Sequence, residues 1–65
     1  MLEFKKGDIL VCVDNLQAEG ILTKGEEVVF ESYVEENDMV FAMIVNQKGV
    51  THGFFPERFK VKENV

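Results

Sequence analysis

Tryptophan is missing from this chain, and cysteine, proline and histidine occur once each. A single cysteine cannot close an internal disulfide, so no oxidised scaffold is expected and the composition favours a reducing cytosol. One histidine and one cysteine cannot supply the three or four nitrogen and sulfur ligands of a usual zinc site, and Glu35, Glu36 and Asp38 lack calcium-loop spacing. No metal and no other cofactor is expected. Glycines in a P-loop or dinucleotide-binding pattern are absent as well. No apolar run approaches the roughly 20 residues that cross a bilayer, and the chain shows no signal-peptide pattern.

Positive charge is also scarce. Seven lysines and arginines stand against 12 acidic residues, a formal net charge of −5. Phosphate binding draws much of its free energy from Lys and Arg displacing counterions, so this balance disfavours nucleic acid. The counter-argument is local: Lys5, Lys6, Arg58, Lys60 and Lys62 lie near the two ends, where paired terminal strands would gather them into a basic edge. Edge lysines also deter strand-to-strand aggregation, a purely structural use.

What is present is a globular composition, 46% hydrophobic and 29% charged, far from the regime of intrinsic disorder. Residues 1–65 read as one domain with one thin core, because a chain this small buries only about 60% of its unfolded surface. The hydrophobic pattern is that of strands. Ile9 to Val13 is an apolar run that suits a strand buried on both faces. An excursion from Asn15 to Gly25 follows, with Ile21-Leu22 tucking back onto the core. Glu26 to Val34 alternates, with Val28, Phe30 and Val34 on one face and Glu31 and Tyr33 on the other. Glu35 to Asp38 reads as a four-residue hairpin loop, Met39 to Val45 as a third strand and Val50 to Phe55 as a fourth. Gly49 suits a left-handed turn position. Pro56-Glu57-Arg58 makes a single turn, since proline fixes φ and donates nothing to a ladder. Phe59 to Lys62 completes a set of five short strands, expected to form an all-β barrel.

Gly25-Glu26-Glu27-Val28-Val29-Phe30, then Met39-Val40-Phe41-Ala42, then Gly53-Phe54-Phe55-Pro56-Glu57-Arg58-Phe59 resemble, in order and spacing, a Src-homology-3 domain. The resemblance spans most of the chain. It implies a five-stranded barrel with a long loop after the first strand and a short 3-10 turn before the last. It also implies that the family's peptide-gripping positions fall at Val13, Asn15, Met39, Pro56 and Phe59. Most of the expected aromatic residues are replaced there, so a proline-rich peptide, which is held by stacked rings and their polar tips, is disfavoured. Lys6-Gly7-Asp8, Cys12-Val13-Asp14-Asn15, Leu22-Thr23, Gly25 and Arg58-Phe59 are in turn similar to small uncharacterised bacteriophage proteins. That second likeness implies an accessory protein working in the bacterial host cytoplasm, and it implies no activity.

An enzyme is not expected. His52 has no partner fixed by spacing, and Cys12 sits in an apolar run that disfavours its thiolate. The expected function is a non-enzymatic protein-interaction module. If Val40, Ala42 and Ile44 face inward, Met39, Phe41 and Met43 point outward. With Phe54 and Pro56 they form the expected partner-binding surface, and Asp14, Glu19, Glu26 and Glu27 are candidate acidic contacts. The partner expected is a bacterial host protein. A homo-oligomer using the same strand and a nucleic-acid-binding barrel are the alternatives. Whether the Asn15–Gly25 excursion covers the outward face of the third strand stays open at the level of sequence.

Overall fold

The computed structural model describes residues 4–62. The chain forms five strands and one 3-10 turn: β1 (Ile9–Cys12), β2 (Glu27–Glu36), β3 (Met39–Val45), β4 (Thr51–Phe54), the turn Pro56–Arg58, and β5 (Phe59–Val61). All pairings are antiparallel, in one sheet of order β4-β3-β2-β1-β5. No helix among the described residues is long and apolar enough to cross a membrane.

The chain is all-β with five strands, as expected, and they form one sheet that does not close, because β4 and β5 end it without pairing to each other. Side chains bridge the gap instead. Phe54 on β4 and Phe59 on β5 meet edge to face at 6.1 Å, while a backbone bond from the Val13 N–H to the Arg58 carbonyl at 2.7 Å ties the end of β1 to the turn before β5. The proline-led turn is as expected, with Pro56 at its start and the Phe59 N–H bonded to the Pro56 carbonyl.

Strand β1 is buried on one face only. Leu10 and Cys12 are sealed, while Ile9 is exposed and Val11 half-buried. Opposed residues of an antiparallel pair share a face. The inner face therefore carries Leu10, Cys12, Val28, Phe30, Ala42, Ile44 and Phe59, all buried in one cluster. Leu22, at 1% exposure, is the only residue of the excursion to join them, whereas its neighbour Ile21 is 54% exposed and Leu16 66%. The excursion thus covers the inner face through the sealed Leu22, with Ala18 packed beside the cluster. Asn15 ties the loop down by donating to the Leu22 carbonyl at 3.1 Å.

Strand β2 departs from simple alternation at one point. Phe30 opposes Ile44 but Ser32 opposes Met43, so Glu31 is an extra residue in the ladder. Such a bulge reverses the phase of every later side chain. Tyr33, expected outside, is consequently on the inner side opposite Ala42, and Val34 is outside opposite Phe41. Tyr33 packs against Phe30 at 4.7 Å, and its hydroxyl accepts the Phe4 N–H at 2.9 Å.

The β2–β3 loop is shorter than expected. Glu35 and Glu36 extend the ladder to Val40 and Met39, which leaves a two-residue turn with Asn37 at φ 53° and Asp38 at φ 63°. Positive φ at both central residues is the hairpin geometry that matches strand twist, and Asn and Asp tolerate it better than other side chains do.

Leu22 is the one fully buried residue of the excursion, so truncating it must be costly. Leu22→Ala is expected to lose about 2–5 kcal/mol, much of what a core of this size supplies, while Leu16→Ala changes stability by less than about 0.5 kcal/mol. Urea denaturation followed by circular dichroism measures both; equal effects at the two positions contradict the packing described.

Candidate functional site

The candidate surface is the outer face of the sheet, opposite Leu22. On β3 the alternation holds as expected: Ala42 and Ile44 are fully buried, and Phe41, Met43 and Val45 lie half-buried on the other side. Met39, at the hairpin end, is exposed. The excursion seats Leu22 in the inner cluster with Ala42 and Ile44; what shields the outer residues is one another.

Of the two phenylalanines before the proline, Phe54 does not lie on the surface expected for it. Phe54 opposes Ala42 and so lies on the inner face, where it packs against the core beside Phe59. Phe55 is 42% exposed and stacks on Phe41 with centroids 5.3 Å apart and planes 25° from parallel. The cause is register. Gly53 opposes Met43, an outer residue, so the next residue must point in and the one after it out. Phe54 accordingly leaves the candidate surface and Phe55 enters it.

Gly53 shapes that surface by what it lacks. A Cβ there would come within 2.9 Å of the Met43 sulfur, so the thioether lies across the bare backbone of β4. Val34 opposes Phe41, and Val29 opposes Val45. Val29 in turn sits opposite Ile9 on β1. The result is an apolar band that runs from Ile9 across the sheet to Phe55. Pro56, half-buried, lies in the turn that packs against β3 at its Phe55 end.

The four candidate acidic residues do not form one site. Asp14, Glu19 and Glu26 each accept a nearby backbone N–H, from Leu16, Gln17 and Thr23 respectively, so they shape the excursion that carries them. Glu19 and Glu26 line an open groove with Ile21, Asn46 and Lys48. Glu27 is elsewhere, 2.8 Å from the Lys62 ammonium. The terminal cations are likewise dispersed: Lys62 is beside Glu27, Lys6 is 3.8 Å from Glu31, and Arg58 lies 6.0 Å over the Phe54 ring while donating to the Asp14 carbonyl. Of these cations, Lys6 and Lys62 stand beside carboxylates.

His52 is half-buried opposite Ile44, with Phe54 the aromatic ring beside it at 6.0 Å. Among the described residues, no three of His, Cys, Asp and Glu gather closely enough to hold a metal ion. Cys12 is buried on the inner face, and its thiol donates to the Asp14 carbonyl at 3.6 Å. The inward turn of Phe54 and outward turn of Phe55 were readable only from the register of Gly53, a signal local patterning does not carry.

Burial holds the Cys12 thiol above its ordinary value of 9.0. The native state then keeps a proton that the unfolded chain has already lost, so this group lowers stability as pH rises from the unfolded value towards the folded one. Below about pH 8 both states are protonated and the effect vanishes. Comparing denaturation of the native chain and Cys12→Ala from pH 7 to pH 10, the stability difference should be flat at first and then move in favour of the variant; a flat difference throughout contradicts a buried thiol. Compared with known proteins, the chain matches no family model, no curated sequence and no solved structure.

Proposed function

We propose that this chain is a non-enzymatic protein-interaction module of the Src-homology-3-like type, which binds through the outer face of its sheet. The observation that carries this reading is the apolar band around the Phe41–Phe55 stack, with Met43 lying flat over Gly53. A small soluble protein rarely leaves such a band contiguous unless it meets something. Met and Phe together make an adaptable contact surface, because the thioether repacks easily and the rings contribute large apolar area.

Three features agree with the family likeness: the long excursion between β1 and β2, the buried alanine at position 42 in the third strand, and the 3-10 turn that begins at Pro56. The surface used differs from the one implied by the family. Met39, Phe41, Met43 and Pro56 remain, Phe55 replaces Phe54, and the proline-peptide groove is not part of the function. The likeness to bacteriophage accessory proteins makes the partner a bacterial host protein met in the cytoplasm. Glu19 and Glu26, beside the open groove, bias its approach towards a basic surface. Binding of nucleic acid draws no support from lysines that stand beside Glu27 and Glu31.

Phe41→Asn combined with Met43→Gln is expected to keep the β-sheet spectrum and to lose capture of host proteins that the native chain retains from bacterial lysate. Identical captured sets for the two forms contradict the assignment. Titration with single-stranded RNA and DNA at low salt is expected to show no saturable binding; tight binding that weakens steeply with salt favours the nucleic-acid reading instead.

A further inference from the structure

The two edges of the sheet are guarded differently. At the β5 edge, Lys60 and Lys62 follow Phe59 along a three-residue strand, and lysine is a common guard against strand addition. At the β4 edge, no residue from Val50 to Pro56 is Lys, Arg, Asp or Glu, and neither a proline nor a bulge falls within Thr51–Phe54. Its backbone groups are therefore available. The Asn46 N–H bonds to the Val50 carbonyl, and bonded pairs alternate along an antiparallel ladder. Ile44/His52 and Ala42/Phe54 are then the pairs bonded to β3, and the N–H and C=O of Thr51 and Gly53 point out of the sheet.

We propose that two copies of this chain associate by antiparallel pairing of β4 with β4, which joins their sheets into one. The occupant is a second copy because the edge complements itself. A two-fold axis normal to the sheet keeps each outer face on the same side, so a residue meets one of the same facing. The register that uses only the free groups of β4 sets Thr51 opposite Gly53 of the other copy, twice, and His52 opposite His52 at the axis. Thr51 meets Gly53, whose outer side carries the flexible Met43 thioether in place of a side chain of its own. Lys48 lies in the turn before β4 and Glu57 in the turn after it, so antiparallel pairing sets the Lys48 end of one copy beside the Glu57 end of the other. Both are exposed, and neither has an ion-pair partner among the described residues. These local complements act at an edge without Lys, Arg, Asp or Glu, although each copy carries −5 overall.

Pairing four residues buries less than the roughly 1,200 Å² of a standard permanent interface, so the dimer exchanges with monomer. It joins the sheets beside the Phe55 ends of the two outer faces, leaving those faces open. The inference is separate from the partner-binding role above and fails separately.

Sedimentation equilibrium of the full chain from about 1 µM to about 1 mM should show a mass rising from monomer to dimer, and the Thr51 and Gly53 amide resonances should shift with concentration. His52→Lys and His52→Glu should each weaken self-association at least about tenfold, because like charges meet at the axis, and an equal mixture of the two should restore it. Phe41→Asn should leave it unchanged. Three results overturn the proposal: a native chain monomeric throughout, a mixture no better associated than either variant alone, or a dimer abolished by Phe41→Asn and untouched at His52. If a position-52 variant fails to fold, the concentration-dependent amide shifts of the native chain decide, with Thr51→Pro, which removes an outward N–H, expected to abolish them.

Discussion

Burial of Leu22 against the inner face is the contact on which the rest of this structure depends. A single sheet has two faces, and a chain this short has little left outside its strands with which to cover them. The excursion between β1 and β2 supplies one sealed side chain, and Phe4, Ala18, Tyr33 and Phe54 pack around the same cluster. With that cover committed to one side, the outer face is left to shield itself. The Phe41–Phe55 stack and the placement of Met43 over Gly53 are the result. The proposed binding surface is thus a consequence of where the limited chain was spent, and it needs no dedicated loop or cleft.

The bulge at Glu31 is the second determinant. Strand β2 pairs with β1 through Glu27–Val29 and with β3 from Val29 to Glu36, so one strand must serve two differently directed parts of the sheet. An extra residue bends a strand and increases its twist. It also moves Tyr33 to the inner side, where the Phe4–Phe30–Tyr33 cluster closes the end of the core, and it sends Val34 outward to extend the apolar band beside Phe41. One inserted residue therefore serves both faces.

This explains which parts of the molecule could be read from residues alone. The strand order along the chain, the proline-led turn and the positive φ at Gly49 all follow from local rules of alternation and turn chemistry. Both faces of β3 are apolar, so the choice of Ala42 and Ile44 as core, and with it of Met39, Phe41 and Met43 as the outward set, came from the alanine shared with the Src-homology-3 resemblance. The errors fall where register is set by something distant. Alternation through Glu31 misplaces Tyr33 and Val34, because a bulge has no composition of its own. Phe54 was misplaced onto the surface because its facing is inherited from the Gly53–Met43 pair across the sheet. An extended loop at Glu35–Asp38 was expected from its charge, yet exposed glutamates serve equally well on the solvent face of a hairpin, and only Asn37 and Asp38 carry true turn geometry.

The segment Gly53-Phe54-Phe55-Pro56 joins these arguments. Gly53 gives Met43 room, and strict alternation after it commits Phe54 to the core and Phe55 to the surface. Pro56 then ends the strand, because it has no N–H to offer a ladder and its ring fixes φ for the turn that follows. The free edge of β4 is thereby limited to the outward groups of Thr51 and Gly53. An edge without charge invites addition, and an edge of two residues cannot hold an added strand strongly. Length does for β4 what lysine does for β5, and it permits reversible contact where a longer uncharged strand would lead to aggregation.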